Sequence, residues 1–204
     1  RVGYPMADTI GGITAAFAVA AALADRQRTG GTFIDVSMLE AVMATMGWAV
    51  SNHLVAGREP KPMGNENVTA SPSGTFRTRD GLLNIAANKQ EQFEAVCRVV
   101  GRPELLTDTR FTERQSRLQH RVELKALLEE AMSSKSTDEW WELFIQAGVP
   151  AGPVYSVPQA LEHPQVASRG MVGTFEVAPG VGRDIRLVRT GFKVNGQTPR
   201  VATP

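Results

Sequence analysis

The residues best suited to chemistry stand near the start of the chain, where one carboxylate precedes a pair of glycines. Asp8 is followed three and four residues later by Gly11 and Gly12. An aspartate at a helix start accepts bonds from free N–H groups, and the helix dipole favours its ionised form. Glycines beside it carry no side chains, so a bulky ligand can approach the backbone. The pattern offers a reachable carboxylate, although a simple helix cap explains the same aspartate.

A helix of small residues must position this carboxylate. The segment Ile13–Ala24 is mostly alanine, the strongest helix former. Because Pro5 disfavours a helical conformation around it, we predict a helix over residues 9–27 that starts near Asp8. Its apolar run of 12 residues is shorter than the ~20 needed to cross a bilayer, so we expect no membrane partner.

A strand and a second helix are predicted to follow. Residues 32–36 are β-rich and predict one strand. Ser37 and Glu40 have capping-box spacing, and apolar residues then recur at helical spacing until Gly57. Helix, strand and helix in this order are typical of a parallel α/β layer. Met38 directly follows the predicted strand, at the end where such sheets bind ligands.

A change of composition predicts a linker and a second domain. Prolines, glycines and asparagines over residues 58–75 favour neither helix nor strand. An Asp-Gly pair at 80–81 then predicts the turn of a hairpin. Amphipathic helices are predicted around Cys97 and over residues 114–134. Strands and helices that alternate in this way indicate a small α+β domain.

Two features of this domain are better explained by packing than by chemistry. Cys97 lies on an apolar helical stripe with Phe93, so we predict a buried small side chain and not a nucleophile. Trp140 and Trp141 can stack on an adenine, but core packing is the favoured interpretation.

Composition excludes several other classes of function. The 204 residues include 22 basic and 21 acidic side chains without a basic block, so we expect no nucleic-acid partner. His53, His120 and His163 do not cluster at metal-ligand spacing, so we predict no metal site. The single Cys97 forms no internal disulfide and leads us to expect a cytoplasmic protein.

The chain resembles the family III CoA-transferases, which include formyl-CoA transferase and the carnitine and bile-acid CoA-transferases. The resemblance is carried by the Asp8-(x)2-Gly11-Gly12 helix start, Thr29-Gly30-Gly31, residues 34–41 and the heptapeptide at 148–154. It implies that Asp8 is the catalytic nucleophile and that Met38 contacts the CoA arm. Gly11 and Gly12 are further candidate CoA-binding residues. The N–H groups of residues 9–12 are candidate oxyanion donors.

The resemblance also implies an α/β fold built of two domains. Residues 1–60 are expected to be part of a Rossmann-like large domain, and 61–165 a small α+β domain with its linker. Residues 166–204 are expected to return toward the large domain. The family forms interlocked homodimers, and much of its CoA-binding site precedes this aspartate, so the chain looks truncated at both ends.

The implied activity is transfer of coenzyme A between carboxylic acids through an aspartyl-CoA thioester. The substrates are an acyl-CoA and a carboxylic acid, and no permanently bound cofactor is expected. Related α-methylacyl-CoA racemases keep a catalytic glutamate near position 90, where this chain has Gln90 and then Glu91. A glutamine cannot shuttle an α-proton, which argues against racemase chemistry. A third alternative is an inactive structural or dimerisation fragment of such an enzyme.

Overall fold

A computed structural model describes residues 3–177 and 180–199 of the chain. The chain divides into two compact units, residues 1–62 and residues 63–204. The predicted site residues all lie in the first unit. The predicted small domain, apart from residues 61 and 62, and the segment 166–204 lie in the second.

Unit 1 is helical in its described residues. Its elements are α1 (Met6–Thr29), α2 (Met38–Thr45) and α3 (Trp48–Ala56). The Ser37 side chain accepts a hydrogen bond from the N–H of Glu40 and so caps α2, as the spacing predicts. Gly57 ends α3 in the left-handed conformation, with φ of 63°.

Three predictions for unit 1 are wrong. The first helix starts at Met6 and not near Asp8, because a proline restricts the residue before it and is tolerated at a helix start. Residues 32–36 form no strand, because a strand needs a hydrogen-bonded neighbour and the described part of unit 1 offers none. The predicted second helix is two helices, since Gly47 interrupts it with φ of 51°.

The first helix is also longer than its apolar run. Met6–Arg28, with 23 residues, is long and apolar enough to cross a membrane by length and composition alone. The apolar run of 12 residues counted from the sequence therefore does not exclude a membrane-spanning helix. Core helices of soluble proteins and signal sequences pass the same test, so this is a weak indication of a membrane. The expectation of no membrane partner stays a prediction.

Unit 2 contains a three-stranded sheet, a two-stranded ribbon and several helices. Its strands are β1 (Ser73–Arg77), β2 (Leu82–Ala86), β3 (Ala151–Pro153), β4 (Val172–Phe175) and β5 (Ile185–Val188). Its helices are α4 (Gln90–Val99), α5 (Arg114–Gln119), α6 (Arg121–Met132), α7 (Thr137–Gln146), α8 (Val157–Glu162) and α9 (Pro164–Ser168), with a short 3-10 helix at Pro103–Leu106.

The first two strands form the hairpin that the Asp-Gly turn predicts. They are antiparallel with Phe76 opposite Leu83, and β3 pairs antiparallel with the other edge of β2. The Thr137 backbone N–H and hydroxyl donate to Asp80 Oδ1 over 2.8 and 3.0 Å, which ties the turn to the start of α7. These bonds hold the pKa of the Asp80 carboxyl below its usual range. Since all the described pairings are antiparallel, the parallel Rossmann-like layer stays a prediction.

The core of unit 2 lies where α4, α6 and α7 pack with the sheet. Its fully buried large side chains include Phe76, Leu83, Ile85, Phe93, Phe111, Leu124, Leu128, Met132 and Phe144. Trp140 is 2% exposed, and its indole N–H donates to the Met132 carbonyl over 2.7 Å. Its interpretation as a core residue is confirmed. The helix predicted over 114–134 is two helices, because His120 leaves the helical region with ψ of 28°.

Leu128→Ala should lower the free energy of unfolding by about 2–5 kcal/mol, because it empties a fully buried position in this core. Val122→Ala, on the same helix but 74% exposed, is the matched control and should change it by about 0.5 kcal/mol or less. Urea melts followed by tryptophan fluorescence measure both values. Equal losses in the two variants would contradict this core.

Candidate active site

Asp8 lies in the first turn of α1, as the third helical residue. Pro5 occupies the N-cap position, and no side chain caps the helix. The Asp8 carboxylate is exposed and makes no hydrogen bond or ion pair with another described residue. Asp8 is therefore not the helix cap. Its carboxylate stays available to a ligand at the positive end of the helix dipole.

The backbone around Asp8 is fixed by local bonds. Thr9 donates both its N–H and its hydroxyl to the Pro5 carbonyl, over 3.0 and 2.9 Å. Residues 10–12 lie inside the helix, where each N–H bonds four residues back. The N–H groups of residues 9–12 are thus occupied, and their prediction as oxyanion donors is wrong. Ala7 and Asp8 have backbone N–H groups with no backbone acceptor among the described residues.

Gly11 is the point where α1 meets α2. It is buried, and a Cβ placed on it would lie 3.1 Å from Cγ of Met38. Because residues three apart share one face of a helix, Asp8 stands on the side of α1 that makes this contact. The structure therefore brings Asp8, Gly11 and Met38 to one end of α1. Met38 remains 54% exposed beside them.

Gly12 has a different environment from its neighbour. It is exposed, and nothing lies within 4 Å of a Cβ placed on it. The open space leaves room for a ligand beside the backbone, as the sequence predicts for a CoA-binding glycine. That role stays a prediction.

Gly12→Ala should raise the free energy of unfolding by about 0.5–1 kcal/mol, because alanine favours a helix and its methyl group meets no obstacle. Gly11→Ala should raise the free energy of unfolding by less, because Met38 must shift to make room for the new methyl group. Thermal melts followed by circular dichroism compare the two variants. An equal gain at both positions would contradict the close approach of the helices at Gly11.

A cavity of about 370 Å³ lies toward the other end of α1. Its lining includes Val19, Leu23, Arg26 and Ile34. With a rise of about 1.5 Å per residue, Val19 is roughly 16 Å along the helix from Asp8. None of its lining residues is a carboxylate, so this cavity does not offer the nucleophile that the sequence predicts.

In unit 2, the buried Arg117 sets the orientation of Gln90. Arg117 Nη2 donates to Gln90 Oε1 over 2.9 Å. A guanidinium only donates, so the amide oxygen must face it and the amide nitrogen must face away. Burial lowers the pKa of the Arg117 guanidinium. Position 90 therefore holds a neutral amide bound to an arginine, which is no proton shuttle.

The thiol of Cys97 is not exposed to a ligand. Cys97 is fully buried in α4, and burial raises the pKa of its thiol to about 12. Its prediction as a buried small side chain is confirmed. Among the residues that the structure describes, no group of three His, Cys, Asp or Glu side chains is placed to hold a metal ion.

Comparison with known proteins connects this geometry to a family. The sequence profile of CoA-transferase family III matches residues 1–204. The acetyl-CoA:oxalate CoA-transferase of Acetobacter aceti is 36% identical over 171 residues, 83% of this chain and 44% of that protein. The succinyl-CoA:glutarate CoA-transferase of Mus musculus is 34% identical over 173 residues, 84% of this chain and 40% of that protein.

A solved structure shares the fold. A CAIB/BAIF family protein from Brucella suis superposes with a TM-score of 0.83 at 30% identity, over 100% of this chain and 52% of that one. The chain therefore belongs to CoA-transferase family III, and the predicted family is confirmed. It spans about half the length of the relatives that it matches.

Proposed function

We propose that this chain is part of an enzyme that transfers coenzyme A from an acyl-CoA thioester to a carboxylic acid, with Asp8 as the nucleophile. The observation that carries the proposal is the exposed Asp8 carboxylate at the start of α1, which bonds to no other residue that the structure describes. It lies in a chain that matches family III over its whole length. The relatives named for CoA transfer support the class of reaction.

The first half of the reaction moves CoA onto the enzyme. An Asp8 oxygen attacks the thioester carbonyl, and the carbon–sulfur bond breaks to give a mixed anhydride and the CoA thiolate. The thiolate then attacks the aspartyl carbonyl of the anhydride. This releases the donor acid as a carboxylate and leaves an aspartyl-CoA thioester. Two carbonyl substitutions replace one difficult direct exchange, and no oxidant or reductant is needed.

The second half returns the enzyme to its starting state. A carboxylate oxygen of the acceptor attacks the aspartyl carbonyl, which expels the CoA thiolate and forms a second mixed anhydride. The thiolate attacks the acceptor carbonyl of that anhydride. Acyl-CoA leaves, and Asp8 is again a free carboxylate. The cycle conserves the thioester and moves no net proton.

The residues around Asp8 suit these steps. The free N–H groups of Ala7 and Asp8 are donors at the helix start, where negative charge develops on the attacked carbonyl. Gly12 leaves open space for the CoA arm, and the exposed side chain of Met38 offers an apolar surface to it. Reactive anhydrides must also be kept from water. A covering element is therefore part of the proposal.

An interlocked homodimer in the cytoplasm completes the proposal. Large apolar side chains of unit 1 face outward, with Phe17 75% and Phe33 92% exposed. Exposed large apolar side chains suit a surface that a partner covers. The single cysteine suits a reducing compartment.

Asp8→Asn should reduce CoA transfer by at least about 10³-fold, because it removes the nucleophile while keeping the shape of the side chain. Asp25→Asn is the matched control: it changes a carboxylate of the same helix, which pairs with Arg28 over 3.0 Å, and should leave the rate unchanged. Rates are measured on the intact protein with a panel of acyl-CoA donors and dicarboxylate acceptors. Thermal melts check that both variants fold. Full activity in Asp8→Asn would overturn the assignment.

Proton exchange separates the transferase from the racemase. The enzyme is incubated in D2O with a 2-methylacyl-CoA and no acceptor acid. We expect no deuterium at the α-carbon, because the Gln90 amide oxygen is bound to Arg117 and no carboxylate stands at that position. Incorporation of deuterium would favour the racemase reaction.

A further inference from the structure

The segment predicted as one linker consists of two parts with opposite properties. Residues 57–62 are all exposed, and residues 59–62 form no hydrogen bond with another described residue. Residues 66–72, which belong to unit 2, are by contrast bonded to its helices α5 and α6. We call residues 58–62 the connector and residues 66–72 the strap.

Three arginines bind alternate carbonyls of the strap. Arg121 Nη1 donates to the Asn67 carbonyl over 3.4 Å. Arg114 Nη2 donates to the Thr69 carbonyl over 2.9 Å. Arg117 Nε donates to the Ser71 carbonyl over 3.2 Å. These arginines lie three and four residues apart on α5 and α6, so their side chains reach the same side of the helical segment.

The strap is also ordered within itself and buried at its end. Asn67 Oδ1 accepts the N–H groups of Thr69 and Ala70 over 2.7 and 3.2 Å. Ala70 is 3% exposed and Ser71 is 8% exposed. At the other end, Glu66 forms an ion pair with Lys125 of α6.

Arg117 makes the strap costly to open. Arg117 is 3% exposed, and its guanidinium carbon lies over the Phe93 ring, 4.2 Å from the ring centroid. All its hydrogen-bond acceptors are neutral: the carbonyls of Ser71, Phe111 and Thr112, and the Gln90 side chain. A buried cation without a carboxylate depends on each of these acceptors. Lifting the strap would leave the Nε–H group buried and unpaired.

We propose that the strap is latched onto the rest of unit 2 by Arg114, Arg117 and Arg121, and that within residues 58–72 local opening is confined to the connector. The composition of residues 58–75 predicts a linker, but only the connector has the exposed, unbonded backbone of a linker. The inference is independent of the proposed reaction, because it rests only on the bonds and burial of residues 57–72.

Limited proteolysis of the intact protein tests the proposal. Trypsin cuts the connector after Arg58, and endoproteinase Glu-C cuts the strap after Glu66. Each rate is normalised to the same cut in the urea-unfolded chain and followed by mass spectrometry. In the unmodified protein we expect the normalised cut after Glu66 to be at least about tenfold slower than that after Arg58, because cleavage requires local opening.

The double variant Arg114→Ala/Arg121→Ala removes the exposed Arg114 and the half-buried Arg121 and keeps the buried Arg117. It should speed the cut after Glu66 by roughly tenfold, since the hydrogen bonds that Arg114 donates to Thr69 and Arg121 donates to Asn67 are lost. The cut after Arg58 should not change. Arg98→Ala is the matched control, because Arg98 is exposed and pairs with Glu94 of its own helix.

A third site reports global unfolding. Glu123 lies inside α6, so a cut there measures opening of the unit and not of the strap. The proposal is supported if the double variant is cut faster after Glu66 while its cuts after Arg58 and Glu123 keep their rates. Equal rates after Glu66 and Arg58 in the unmodified protein, an unchanged Glu66 rate in the double variant, or a parallel rise after Glu123 would each overturn it. Arg117→Met, compared by the same cuts, should open the strap further.

Discussion

The contact between Gly11 and Met38 is the constraint on which the candidate site depends. Without a side chain at position 11, the start of α2 approaches α1 one helical turn after Asp8. The Ser37 cap fixes where α2 begins and therefore which residue fills that contact. A methyl group at position 11 would shift only the Met38 side chain, and a bulkier residue would also meet the backbone of Met38. The start of α2 would then move away from α1, and the Met38 side chain would move away from the Asp8 carboxylate.

Features that depend on neighbours in the sequence were predictable. Ser37 and Ser136 stand three residues before a glutamate, and both form the caps that this spacing indicates. The hairpin turn at 80–81 follows from its Asp-Gly pair. Asp8 and Gly11 were chosen by residue type and spacing, whereas Met38 was chosen because it follows a predicted strand that the structure does not contain. Met38 nevertheless packs against Gly11. The assignment of Asp8 as nucleophile came from family resemblance.

Features that depend on distant partners were not predictable in the same way. Residues 32–36 have strand-forming side chains, but the described part of unit 1 supplies no strand to pair with them. The strap has the composition of a linker and is held by arginines more than 40 residues away in sequence. The burial of Arg117 could have been predicted from its spacing. It stands seven residues before the buried Leu124, which places it on the inward face of the helical segment. A charge at such a position indicates a buried network.

Covalent trapping tests the central claim most directly. The intact protein is incubated with a panel of acyl-CoA thioesters and quenched with hydroxylamine, whose nitrogen attacks an activated aspartyl carbonyl and leaves a hydroxamate. Peptide mass spectrometry then locates the modified residue. The account predicts a hydroxamate on Asp8 that forms only when a thioester is present. A preparation that transfers CoA but carries no hydroxamate on Asp8, or carries it on another carboxylate, would contradict the account.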